Sequence, residues 1–131
     1  PFTVTAPGSR TDAGRGGRAN VVSGERLYPD NRTISQWFKP AAFSTPTAFN
    51  WGNSSRNMLR GPGRTNVDLT LAKRFRLGQQ RELTFRTEVF NAFNTPQFAL
   101  PAANVGSGNI ATITSTARAN RQIQLALRLT F

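Results

Sequence analysis

Three carboxylates, Asp68, Glu82 and Glu88, fall at even positions among Arg74, Arg76, Arg81 and Arg86. Paired carboxylates can do acid–base work. Here each has an arginine close by in sequence, so cross-strand ion pairs are the expected use. Two glycine–arginine stretches invite a different chemistry. "GRGGR" at 14–18 resembles an arginine–glycine nucleic-acid element, but it occurs once, without a neighbouring aromatic residue, and reads as a soluble loop. "RGPGR" at 60–64 lacks the Lys-Ser/Thr and the helix that a phosphate loop needs, and reads as a tight turn leading into a strand. Asp30 and Asn31 follow Pro29 and read as a turn; one acidic residue is too little for calcium.

The chain holds no Cys and no His. Thiol chemistry, disulfides, zinc sites of the common kinds and a Ser-His-Asp triad are therefore excluded. No catalytic constellation remains, and neither an enzyme nor a cofactor is expected. With 17 Lys and Arg against 6 Asp and Glu the net charge is +11. Such an excess suits nucleic acid, an anionic membrane or an acidic partner. The arginines are scattered rather than blocked, which argues for a solvated basic surface over a nucleic-acid footprint. No apolar run reaches the length of about 18 residues that a membrane-spanning helix requires. A chain opening on "PFTVTAPGSR" without an initiator Met reads as a processed product or part of something longer.

The elements that must position these side chains differ between two segments. Residues 1–63 contain six of the eight prolines and most of the glycines, and read as extended coil with short turns. One helical turn is expected at Ile34, Trp37 and Phe38, stopped by Pro40. The aromatic residues there, Trp37, Phe38, Phe43, Phe49 and Trp51, need apolar cover. They are expected to find it on an adjacent subunit.

Residues 64–131 alternate. Val67, Leu69, Leu71, Phe75 and Leu77 are apolar and odd-numbered, and the odd register resumes with Leu83, Phe85 and Val89 after a turn at "GQQ", 78–80. A β-hairpin over 64–90 follows. "IATITST" at 110–116 reads as a short strand. The last strand, about 121–131, sets Ile123, Leu125, Leu127, Leu129 and Phe131 on one side and Gln122, Gln124, Ala126, Arg128 and Thr130 on the other. The fold class is all-β and antiparallel, with about four strands. An apolar stripe of this kind is core in a soluble sandwich and lipid face in an outer-membrane barrel. The strands are long enough to cross a membrane when tilted. An aromatic residue closing an apolar strand suits a membrane interface.

"NMLRGPGRTNVDLTLAKRFRL", "RELTFRTEVFNAFNTPQF" and the closing strand resemble the end of a TonB-dependent receptor, of the branch with a carboxypeptidase-regulatory-like N-terminal domain. "WFKPAAF" and "FNWGNSSRNMLRGPG" resemble the extended stretch before the last strands of that branch. The resemblance implies an outer-membrane barrel of about 22 strands, with a plug, importing large nutrients with energy from the inner membrane. It also implies that a barrel-assembly machinery reads the last strand and its terminal aromatic residue.

Four strands cannot close a barrel, and an open sheet leaves two unpaired edges. The expected partners are copies of the chain or the remainder of a larger barrel. The first gives a self-assembling filament at the cell surface; the second gives the last strands of a nutrient transporter in the outer membrane. A basic nucleic-acid binder is the third reading.

Overall fold

The computed structural model describes residues 1–8 and 17–131. The "GRGGR" stretch thus lies mostly outside the described residues. The elements are β1 (Asn20–Val21), a 3-10 turn (Pro40–Ala42), β2 (Phe43–Ser44), β3 (Leu69–Arg76), β4 (Glu82–Phe90) and β5 (Gln122–Thr130). The architecture is all-β and antiparallel. No helix among the described residues is long and apolar enough to cross a membrane.

The chain divides into two compact units. The first comprises Pro1–Pro62 and Phe98–Ala117, the second Gly63–Gln97 and Arg118–Phe131. Residues 98–117, read from the sequence as part of the β segment, pack with the Pro/Gly-rich residues.

Among the described residues the first unit has almost no ladder, only the pair β1–β2 (Asn20 opposite Ser44, Val21 opposite Phe43) and isolated bridges. Its N-terminal segment runs through the middle. Phe2 bridges Leu59, and Thr5 bridges both Arg18 and Asn104. Phe2, Val4, Ala19, Phe38, Ala42, Phe43, Leu59 and Ala111 make its buried core. Phe38 stands between Phe2 and Phe43, with ring centroids 5.9 and 5.6 Å away. Prolines keep the segment from forming a central strand, so its order comes from side-chain burial and single backbone bonds.

The helical turn expected at Ile34, Trp37 and Phe38 is absent. A 3-10 turn begins at Pro40 instead of ending there, because a proline at the first helical position gives up a donor that would go unused anyway. Residues before it spend their backbone elsewhere. The Trp37 amide donates to the Ala111 carbonyl, the Lys39 amide to Leu27, and the Ile34 carbonyl accepts from Ile113. The strand expected at 110–116 is also absent. Ala111 sits buried at φ 67°, in the left-handed region, which breaks the alternation a strand needs. The segment is held bond by bond, Ala102 to Thr112 and Ala99 to Ser115, with a single bridge between Phe98 and Thr116.

Gly52 shows how close the packing is. A Cβ there would lie 1.9 Å from the Arg18 carbonyl oxygen and 2.5 Å from that of Ala19. Backbone, not a movable side chain, blocks the space. Gly52→Ala is therefore expected to cost about 1–3 kcal/mol or more, as overpacking does. A denaturant midpoint lowered accordingly, with the Ser54 amide (which donates to Ala19) exchanging faster, is the predicted result.

The second unit is a three-stranded meander in the order β3-β4-β5. Leu69 faces Val89, Phe75 faces Leu83, Phe85 faces Leu127 and Val89 faces Ile123. Gly78, at φ 102°, turns the chain between β3 and β4, and the Leu77 amide closes the turn on the Arg81 carbonyl at 2.8 Å.

Candidate functional site: a two-faced sheet

Because antiparallel partners point their side chains to the same side, the register sorts the sheet into two faces. Four odd-numbered rows run Leu69–Val89–Ile123, Leu71–Thr87–Leu125, Lys73–Phe85–Leu127 and Phe75–Leu83–Leu129. Ten of these twelve positions are Leu, Ile, Val or Phe. The even rows are Thr70–Glu88–Gln124, Ala72–Arg86–Ala126, Arg74–Thr84–Arg128 and Arg76–Glu82–Thr130. The expected stripe of Leu69, Leu71, Phe85, Val89, Ile123, Leu125, Leu127 and Leu129 is thus one continuous face.

Nothing in the second unit covers that face. Leu71, Leu125 and Leu127 are 67–69% exposed, and every residue of β3 and β5 is exposed. Phe131, one residue past β5, is 91% exposed. A sheet in water buries its apolar side against a second layer; here the layer has to come from outside this unit. Nine residues at about 3.3 Å each, tilted by about 40°, rise about 23 Å, close to the apolar band of about 25 Å in an outer-membrane barrel.

Lys73 is the one charge on the apolar face. It is the fifth of the eight residues of β3, in the row with Phe85 and Leu127. A lysine stem can lie along apolar surface while its ammonium reaches towards the interface, and from this row the stem points along the half of the strand nearer the Gly78 turn.

The carboxylates make fewer cross-strand ion pairs than their spacing suggests. Arg74 approaches Glu82 at 4.0 Å across the strands, but Arg86 pairs at 2.7 Å with Glu88 on its own strand. Among the described residues Asp68 pairs with no arginine. Its Oδ1 accepts from the Asn66 amide group and from the Asn91 backbone N–H, both at 2.9 Å. Asp30 pairs with Arg26 at 2.7 Å.

A knot of polar side chains at the far end of the sheet escaped the sequence reading. Asn91 and Asn94 both adopt φ 51°, a region asparagine tolerates better than most residues. Asn91 is buried. Its Oδ1 accepts from the Thr95 amide and its Nδ2 donates to the Thr95 carbonyl. Asn94 accepts from the Arg121 amide, and buried Gln97 donates to the Thr65 carbonyl. Together they tie the start of β3, the end of β4 and the start of β5. Two asparagines three apart directly after a strand were the available signal. Asn91→Ala removes the two side-chain hydrogen bonds to Thr95 and leaves at positive φ a residue that tolerates that region less well than asparagine. A loss of about 1–3 kcal/mol is expected, read as a lower denaturation midpoint.

The aromatic residues of the first unit divide. Phe38 and Phe43, expected against an adjacent subunit, are buried in their own unit, because the N-terminal strand and Leu59 already supply the apolar cover. Trp37 packs against the same core, and its Nε1 donates to the Arg60 carbonyl at 2.8 Å while the Tyr28 hydroxyl accepts from the Arg60 amide. Arg32 stacks over Tyr28 at 3.7 Å. Phe49 and Trp51 remain exposed, at 83% and 53%.

A family model described as an outer membrane beta barrel domain matches residues 1–124. No curated protein and no solved structure matches the chain. The match spans both units and includes all of β3 and β4, whose odd face is apolar and uncovered and whose even face is polar. The chain belongs to the outer membrane beta barrel domain family.

Proposed function

We propose that the chain supplies wall strands to a TonB-dependent-type nutrient transporter of the outer membrane, the odd face against lipid and the even face towards the lumen. The observation that carries this reading is the register: it gathers every Leu, Ile and Val of the three strands on one uncovered side and all their arginines and glutamates on the other. Three strands enclose no lumen, and about eight are the fewest that close. The two outer strands, β3 and β5, each offer an open edge for the remaining wall. The motifs "RNMLRGPGRTNVDLTLAK" and "FRTEVFNAFN" support the transporter class through their resemblance to such receptors.

The connections give the wall a direction. Residues 77–81 make a short turn between β3 and β4, whereas 31 residues, 91–121, join β4 to β5. Barrels of this kind have short periplasmic turns and long extracellular loops, which puts the Gly78 turn and Phe131 on the periplasmic side. The filament reading set Trp37, Phe38, Phe43, Phe49 and Trp51 against a neighbouring copy; Phe38 and Phe43 are buried within their own unit, and Phe49 and Trp51 are exposed.

The test is formaldehyde cross-linking in energised cells, followed by purification of the outer-membrane protein that carries this chain. A cross-linked adduct with a TonB protein is expected; a protein that enters the outer membrane yet never yields the adduct contradicts the transporter class.

A further inference from the structure

The even face is charged unevenly along its length. Towards the 91–121 loop its rows hold Thr70, Glu88 and Gln124, with Arg86 neutralised by Glu88 at 2.7 Å. Towards the Gly78 turn they hold Arg74, Arg76 and Arg128 against Glu82 alone. Among the described residues neither Arg76 nor Arg128 has an ion pair, and Arg74 approaches Glu82 only at 4.0 Å. The Thr84 hydroxyl donates to Glu82 at 3.3 Å, which draws part of that carboxylate's charge away from the arginines.

Arg74, Thr84 and Arg128 form one row across β3, β4 and β5. Two strand spacings separate the outer pair by about 10 Å at the backbone, a gap that two guanidinium groups can close around a ligand between them. A recess of about 270 Å³ lies there, lined by Arg74, Glu82, Thr84, Arg128 and Thr130. Guanidinium forks match the oxygens of carboxylate and phosphate two at a time. The Thr130 hydroxyl adds a donor beside Arg128, whereas that of Thr84 is held by Glu82.

We infer that this recess binds an oxyanion, the carboxylate or phosphate group of a solute passing the polar face. Arg128 and Arg74 are the two forks, and Thr84 and Thr130 line the recess between and beside them. The inference rests on the even face being the lumen face. It adds that the cargo, or a part of it, is anionic, and that its negative group settles near the periplasmic end.

The test uses the intact outer-membrane protein that carries this chain, purified in detergent at low salt and titrated calorimetrically with pyrophosphate and, separately, with citrate. Arg128→Gln and Arg74→Gln should each weaken binding by about tenfold or more, the scale of losing a charge-assisted bond. Arg26→Gln, which removes an exposed arginine of the other unit, should leave it within about twofold. Heat-modifiable gel mobility checks that each variant still forms the barrel. Binding of pyrophosphate alone marks a phosphate-bearing solute, and of citrate alone a carboxylate-bearing one; either supports the inference. Binding of neither probe, or equal affinity in the parent and Arg128→Gln proteins, overturns it. The lumen assignment fails separately, if the odd face proves not to touch lipid.

Discussion

Phe38→Ala is expected to strip the first unit of a large part of its stability, about 3–5 kcal/mol, the usual range for emptying a buried Phe site. The ring is fully buried, touches Phe2 and Phe43 edge-on or tilted, and sits where the N-terminal segment, the 3-10 turn and Leu59 converge. Collapse cannot fill the gap cheaply, because the surrounding backbone is pinned by bonds such as Phe2 to Leu59 and Trp37 to Ala111. Against a total of about 5–15 kcal/mol for a domain, that loss is large. Amide exchange at Phe2, Leu59 and Trp37 should accelerate by about two to four orders of magnitude if these protons exchange through unfolding of the unit. Unchanged exchange there would mean that Phe38 is not the keystone its contacts make it.

Leu125→Arg has the second largest expected effect. Leu125 is the fourth of the nine residues of β5, one from its centre, in the row with Thr87 and Leu71. An arginine on the lipid face near mid-depth costs an outer-membrane barrel about 2–4 kcal/mol. Gln124→Arg, one residue away on the polar face, should fall within about 0.5 kcal/mol of the parent, the range of ordinary surface changes. The pair is measured by guanidinium unfolding of the barrel from lipid vesicles. Position 124 controls for the added charge and bulk, so only the face differs. Equal losses at both sites would remove the distinction between the faces.

The second unit could be largely read in the sequence because a period of two maps directly onto side-chain direction. Alternation at 69–76 and 82–90 located the hairpin, and the stripe from Ile123 to Leu129 located β5; only the ends shifted, 67–77 shortening to 69–76. The first unit offered no such period. Its order depends on bridges between residues far apart in sequence, Thr5 with Asn104 and Phe2 with Leu59, and on special positions such as Gly52 and Ala111, where one backbone nearly touches another or turns left-handed. Trp37, Phe38 and Phe43 looked uncovered for the same reason: their cover comes from segments with no recognisable pattern. The arginine recess was hidden differently. Arg74 and Arg128 are 54 positions apart, and only the register of β5 on β4 brings them into one row with Thr84.

The central claim is that odd-numbered side chains of the sheet face lipid and even-numbered ones do not. The chain contains no cysteine, so Leu127→Cys and Arg128→Cys each give a unique label within it. The protein carrying each is labelled with an environment-sensitive fluorophore and reconstituted into vesicles containing spin-labelled lipid. Strong quenching and a blue-shifted emission at position 127, with weak quenching at position 128, is the predicted result. Equal quenching at the two neighbours, or stronger quenching at 128, would contradict the account.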